Sequence, residues 1–149
     1  MTTRSESPKS FLSPEEKHLI EEAVRAAENA TSAEIRVVFA RKLGEDALAD
    51  AEQWFVRLGM EKTRERNGVL ICLGVASKRF AIVGDEGIDR YMTDAGWQTV
   101  RDAMVNEFKA DRFAEGIAYG VAEVGRVLSE HFPPREDDIN ELPDEIVIE

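Results

Sequence analysis

The chain is poor in the groups that do covalent chemistry. Its 149 residues hold one cysteine, Cys72, and two histidines, His18 and His131. A single cysteine excludes an intrachain disulfide. No His-x-x-x-His or Cys-x-x-Cys pair occurs, which argues against a zinc site. Neither a G-x-x-x-x-G-K-[ST] phosphate loop nor a G-x-G-x-x-G fingerprint is present. No apolar run approaches the ~20 residues of a membrane helix. The polar start MTTRSESPKS lacks the apolar stretch of a signal peptide. Cations are scarce as well, with 19 Lys and Arg against 30 Asp and Glu and a net charge of −11. That balance speaks against a nucleic-acid footprint and against docking on anionic lipid. The expected setting is the cytoplasm, with a protein as the partner.

What is present suits one domain. The 43% hydrophobic content is enough to build a core. Seven acids fall in residues 136–149, where no Lys or Arg occurs, so that segment carries −7 and the rest of the chain −4. The expected organisation is an unstructured N-terminus over 1–12, one domain over 13–132 and an acidic tail over 133–149. The tail ends in EIVIE, whose alternation fits a short strand added to a sheet edge as well as it fits an unstructured end.

The pattern inside the domain alternates. Ser13, Pro14 and Glu16 have the spacing of a capping box and predict a helix over 14–30, with Leu19, Ile20, Ala23, Val24 and Ala27 inward. AEIRVVFA (33–40) is short and β-branched, and so reads as a strand. A helix follows, with Glu45 and Asp46 in its first turn and Ala47, Leu48, Ala51, Trp54, Phe55 and Leu58 inward. NGVLICLGV (67–75) is apolar throughout, as a central strand covered on both faces would be. ASKR turns the chain back into RFAIVG, making an antiparallel hairpin. A helix capped by Thr93 or Asp94 comes next, then one from about 113 to 131. These elements define an α/β fold with a central mixed sheet sandwiched between helices. Gly116 and Gly120 are expected to let the last helix pack closely on a neighbour. Cys72, in the most apolar strand, reads as packing, and KTRER (62–66) as a solvated basic loop.

The acidic turn GDEG (84–87) invites a chemical reading. The third strand runs against the first, so its end, Asp85, belongs at the same sheet edge as Glu34, which opens the first strand. Gly84 and Gly87 allow positive φ and close approach. Asp94 begins a helix nine residues after Asp85. Carboxylates gathered in this way repel one another unless a proton or cation neutralises them, and hard oxygen ligands suit Ca²⁺ or Mg²⁺. The same residues also suit a plain turn in which Asp85 and Asp94 cap backbone amides.

NGVLICLGVASKRFAIVGDEGID, followed by TDAGW and FAEGIAYGVAEVGRVL, resembles the TPM domain family over most of residues 31–132. The end DDINELPDEI is similar to that of small soluble bacterial members. The resemblance implies an αβα sandwich and binding of a divalent metal, calcium in particular with magnesium as the alternative. By position the metal residues would be Glu34, Asp85 and Asp94, with Asp89 as a fourth. The expected role is a calcium-binding module for protein interaction or regulation. The alternative is a metal-assisted acid phosphatase acting on phosphomonoesters, an activity proposed for plant members. Whether the chain is an enzyme stays open.

Overall fold

The computed structural model describes residues 4–134 and 146–148. In chain order the elements are α1 (Pro14–Asn29), β1 (Ile35–Ala40), α2 (Ala47–Arg57), β2 (Val69–Gly74), β3 (Arg79–Gly84), α3 (Glu86–Lys109), α4 (Phe113–His131) and β4 (Val147–Ile148). A short 3-10 turn at Met60–Lys62 follows α2. The sheet order is β3-β2-β1-β4. β1 pairs parallel with β2, β2 antiparallel with β3, and β4 parallel with β1. The sheet is mixed, as the pattern of elements requires.

Strand alternation sorts the side chains into two cores. Ile35, Val37, Phe39, Val69, Ile71, Leu73 and Ile82 face one side, where α1, α3 and α4 cover them. Val38, Ala40, Leu70, Cys72 and Ala81 face the other, under Ala51 and Phe55 of α2 and Met60. All six residues of β2 are buried, which is why its sequence shows no alternation.

Local signals set the helix starts. Ser13 Oγ accepts the Glu16 N–H at 3.1 Å and Glu16 Oε1 accepts the Ser13 N–H at 2.9 Å, a complete capping box. Asp46 precedes α2 and caps it by accepting the Ala49 N–H, rather than lying in its first turn. α3 is kinked at Thr93 (φ 62, ψ 166), whose Oγ1 accepts the Gly96 N–H at 3.3 Å. Thr93, not Asp94, therefore restarts the helix. The packing helices meet through glycine: a Cβ on Gly120 would stand 2.6 Å from Met104 Sδ, and one on Gly125 2.7 Å from Ala27 Cβ.

Two expectations need correction. Leu19 and Leu48, placed inward by periodicity, are 42% and 50% exposed. Each helix lies on a single neighbouring layer, so its buried face is narrower than its apolar stripe. The N-terminus expected to be unstructured over 1–12 contributes Phe11 and Leu12 to the core. Arg4 holds this segment down, with its guanidinium bonded to Phe11 O, both Glu16 carboxylate oxygens, Asp111 Oδ1 and Asp111 O. Most of the acidic tail, 135–145 and 149, lies outside the described residues, but Val147 and Ile148 form the edge strand beside Val38 and Phe39.

Candidate functional site

The rim at the start of β1 is built by register. Ile35 is level with Val69, and Val69 with Gly84, so Glu34, Gly68 and Asp85 form one row across three strands. Backbone bonds close the row: Val69 N–H to Glu34 O at 2.9 Å and Asp85 N–H to Gly68 O at 3.0 Å. Asp85 and Glu34 do share this edge, on either side of β2 and two strand spacings apart, roughly 9.5 Å. Gly68 separates them, and a Cβ there would meet Met60 O at 3.1 Å and Phe55 at 3.6 Å. Backbone and an aromatic ring occupy the space through which the two carboxylates would have to meet.

Asp85 is 9% exposed and fully engaged. It caps α3, with Oδ1 accepting the Glu86 N–H at 2.8 Å. Its other partner is Arg66, Nε to Oδ2 at 2.9 Å and Nη2 to Oδ1 at 3.3 Å. Hydrogen bonding and charge from Asp85 hold the Arg66 guanidinium above its ordinary range. Arg66 itself has left-handed backbone (φ 53), and its carbonyl accepts the Gly87 N–H at 2.7 Å. Gly87 is required for that approach, because a Cβ there would collide with Glu65 O and stand 2.5 Å from Arg66 O. Neither Gly84 nor Gly87 has positive φ; both serve close packing, Gly84 beneath the Trp97 ring.

The other two candidates lie elsewhere. Asp89 is exposed, and its Oδ1 accepts the Trp97 indole N–H at 2.9 Å. Asp94 is exposed just after the kink of α3, in the helical layer on the far face of the sheet from α2. Glu34 and Asp85 follow the alternation of the α2 face. Among the described residues no group of three His, Cys, Asp or Glu stands close enough to hold a metal ion. As arranged, these carboxylates do not make a divalent-ion site: Asp85 already has a cation, Asp89 has a donor, and Asp94 stands exposed beyond the kink of α3.

The residue missed by the sequence reading is Arg66. Its signal was the one basic run, KTRER, set immediately before the strand that pairs with the acidic turn. The remaining reactive groups are dispersed. Cys72 is fully buried, and burial pushes its thiol up to about 12. His18 is exposed beside Glu22, and His131 stacks on Tyr91 with ring centroids 3.7 Å apart.

An αβα sandwich with a charge-clamped acidic rim defines a small α/β domain. Residues 6–127 match the family model of the TPM domain, and the chain belongs to that family. Two solved bacterial structures are similar to it. The BA42 protein of the psychrophilic bacterium Bizionia argentinensis is 40% identical, with a TM-score of 0.84, over 93% of this chain and 96% of that one. The N-terminal domain of a protein from P. gingivalis is 26% identical, with a TM-score of 0.59, over 84% of this chain and 83% of that one. No curated protein matches. Among the described residues no helix is long and apolar enough to cross a membrane.

Proposed function

We propose that this chain is an interaction module that presents the exposed carboxylates of α3, the helix Asp85 anchors at the rim, to a basic surface on a partner protein. The observation that carries the reading is the division of labour at the start of α3. Asp85 is buried and clamped, while its neighbours Glu86, Asp89 and Asp94 face solvent on the element it anchors. Glu86 has a side chain 73% exposed and approaches Arg66 only at 3.9 Å. Exposed charge on a rigid support steers and selects partners more than it adds raw affinity.

Calcium enters this reading as a competitor of Arg66. An ion at Asp85 would compete with the guanidinium for carboxylate oxygens that already accept from Arg66 and from the Glu86 N–H, so the ion pair opposes metal ligation. The phosphatase reading lacks support from a nucleophile: Cys72 is sealed in the sheet, and neither histidine stands with a carboxylate in a cleft.

The test is a pull-down from the source cells with wild type and a Glu86→Lys/Asp89→Lys/Asp94→Lys variant. Salt-sensitive capture of a basic protein, lost in the variant, is the expected result. Hydrolysis of an aryl phosphate with Mg²⁺ or Ca²⁺ that disappears in Asp85→Ala would overturn the reading in favour of the enzyme.

A further inference from the structure

The opposite end of the sheet carries a cavity that the acidic rim does not use. It measures about 730 Å³ and lies where β2 ends and β3 begins. That is within the range of small-molecule sites, roughly 300–1,000 Å³. Its floor is apolar: Leu73, Phe80, Val105, Phe108 and Phe113. The rings hold one another in place, Phe80 edge-on to Phe108 with centroids at 5.0 Å and Phe108 stacked on Phe113 at 5.1 Å. Its mouth is polar and cationic, formed by Arg4, Lys78 and Lys109 with Glu6 and Asp111.

The three cations are not equivalent. Arg4 makes five hydrogen bonds, to Phe11 O, Glu16, Asp111 Oδ1 and Asp111 O, and so is committed to holding the N-terminal segment. Lys78 Nζ donates to Val75 O at 3.0 Å and sits 4.5 Å over the Phe11 ring. An ammonium has three donors, so two of them remain for a ligand. Neither Lys78 nor Lys109 forms an ion pair among the described residues. The mouth also concentrates backbone strain. Among the described residues four non-glycine residues have positive φ, and two of them, Lys78 (φ 58) and Asp111 (φ 61), line this cavity. Such conformations persist where the surroundings over-determine them and cluster at ligand clamps.

An aromatic floor below two ammonium groups with no carboxylate partner among the described residues, on a chain of net charge −11, is complementary to one kind of ligand. We propose that this cavity binds a small carboxylate with an aryl or short alkyl body, the body lying on Phe80, Phe108 and Phe113 and the head on Lys78 and Lys109. The site is independent of the acidic rim and of the role given to it.

The experiment is an amide-shift titration of the full chain with 4-phenylbutyrate, with 4-phenylbutanol and acetate as the uncharged body and the bare head. Saturable shifts at Lys78, Phe80, Phe108 and Phe113 are expected below about 1 mM phenylbutyrate, and not with either control. Lys78→Asn with Lys109→Gln should weaken binding roughly tenfold or more, the scale of a charge-assisted contact. Asn is chosen because it tolerates the left-handed backbone. Val105→Trp, filling the cavity without touching the cations, should abolish the shifts. Equal binding of the alcohol, an unchanged affinity in the double variant, or shifts centred elsewhere would overturn the proposal. Tighter binding of phenyl phosphate than of phenylbutyrate would overturn the carboxylate head, and tighter binding of a short peptide the small-molecule class.

Discussion

Arg66 Nε stands 2.9 Å from Asp85 Oδ2, and this contact supplies inside the chain the positive charge that an acidic turn demands. Asp85 is buried, Arg66 about half exposed, and the same carboxylate starts α3. Replacing Asp85 with Ala removes a helix cap and strands the guanidinium. The expected loss is about 1–2 kcal/mol in urea unfolding, the scale of an N-cap. Asp85→Asn keeps a capping oxygen and should lose less. Calcium calorimetry on wild type and Arg66→Ala checks the competition: heat should appear or grow only when the arginine is gone. Strong calcium binding to wild type, unchanged in Arg66→Ala, would refute it.

Acid should loosen the N-terminal strap. Arg4 hydrogen-bonds Glu16 and holds its carboxyl below the usual carboxylate range, against a smaller opposing effect of burial. A depressed folded pKa means that the pair's stabilisation is present above the unfolded value, near 4.5, and is lost as pH falls through the lower folded one. Arg4→Ala should therefore cost about 1 kcal/mol at neutral pH, as partly exposed pairs do. It should also cost less at a pH below both values. Urea midpoints measured across pH 2–7 (roughly the span from both protonated to both charged) read this out, and a pH-independent difference would count against the ion pair.

Two glycines in helices should respond differently to alanine. Gly87 faces the backbone oxygens of Glu65 and Arg66, which cannot move without undoing the rim. Gly87→Ala should cost about 1–3 kcal/mol despite alanine's better helix propensity. Gly120 faces the flexible end of Met104, which can turn aside. Thermal unfolding of the two variants should place Gly120→Ala clearly closer to wild type.

The β4 pairing makes truncation informative. Ending the chain at residue 134 removes Val147 and Ile148 and bares the β1 edge at Val38 and Phe39. Faster amide exchange along Val38–Ala40 is expected, with self-association at high concentration, because an open parallel edge is a template for pairing. Unchanged protection in the truncated chain would show that β4 contributes nothing to the sheet.

Much of this is legible in the sequence. The capping box at Ser13, the unbroken apolar run of β2, the hairpin after Gly74 and the inward face of α4 all rest on short-range rules. Half of the candidate site was legible too. Antiparallel return of β3 puts Asp85 and Glu34 on one edge, and the register does so. The placement of Asp94 is not legible there, because nine residues of sequence do not reveal on which side of a sheet a helix will lie. Arg66 is not legible there, because a loop's basic residues look alike until one of them pairs with a carboxylate from another element.

The sequence by itself determined the order of the elements, the direction of the strands and the caps that begin the helices, since each depends on the periodicity and hydrogen-bonding habits of neighbouring residues. Only the tertiary structure decided which charge answers Asp85, which carboxylates remain in solvent, and that Arg4 closes a cavity over Phe108 and Phe113. Those outcomes depend on distances between residues far apart in the chain, and packing against other layers sets such distances, not local preference.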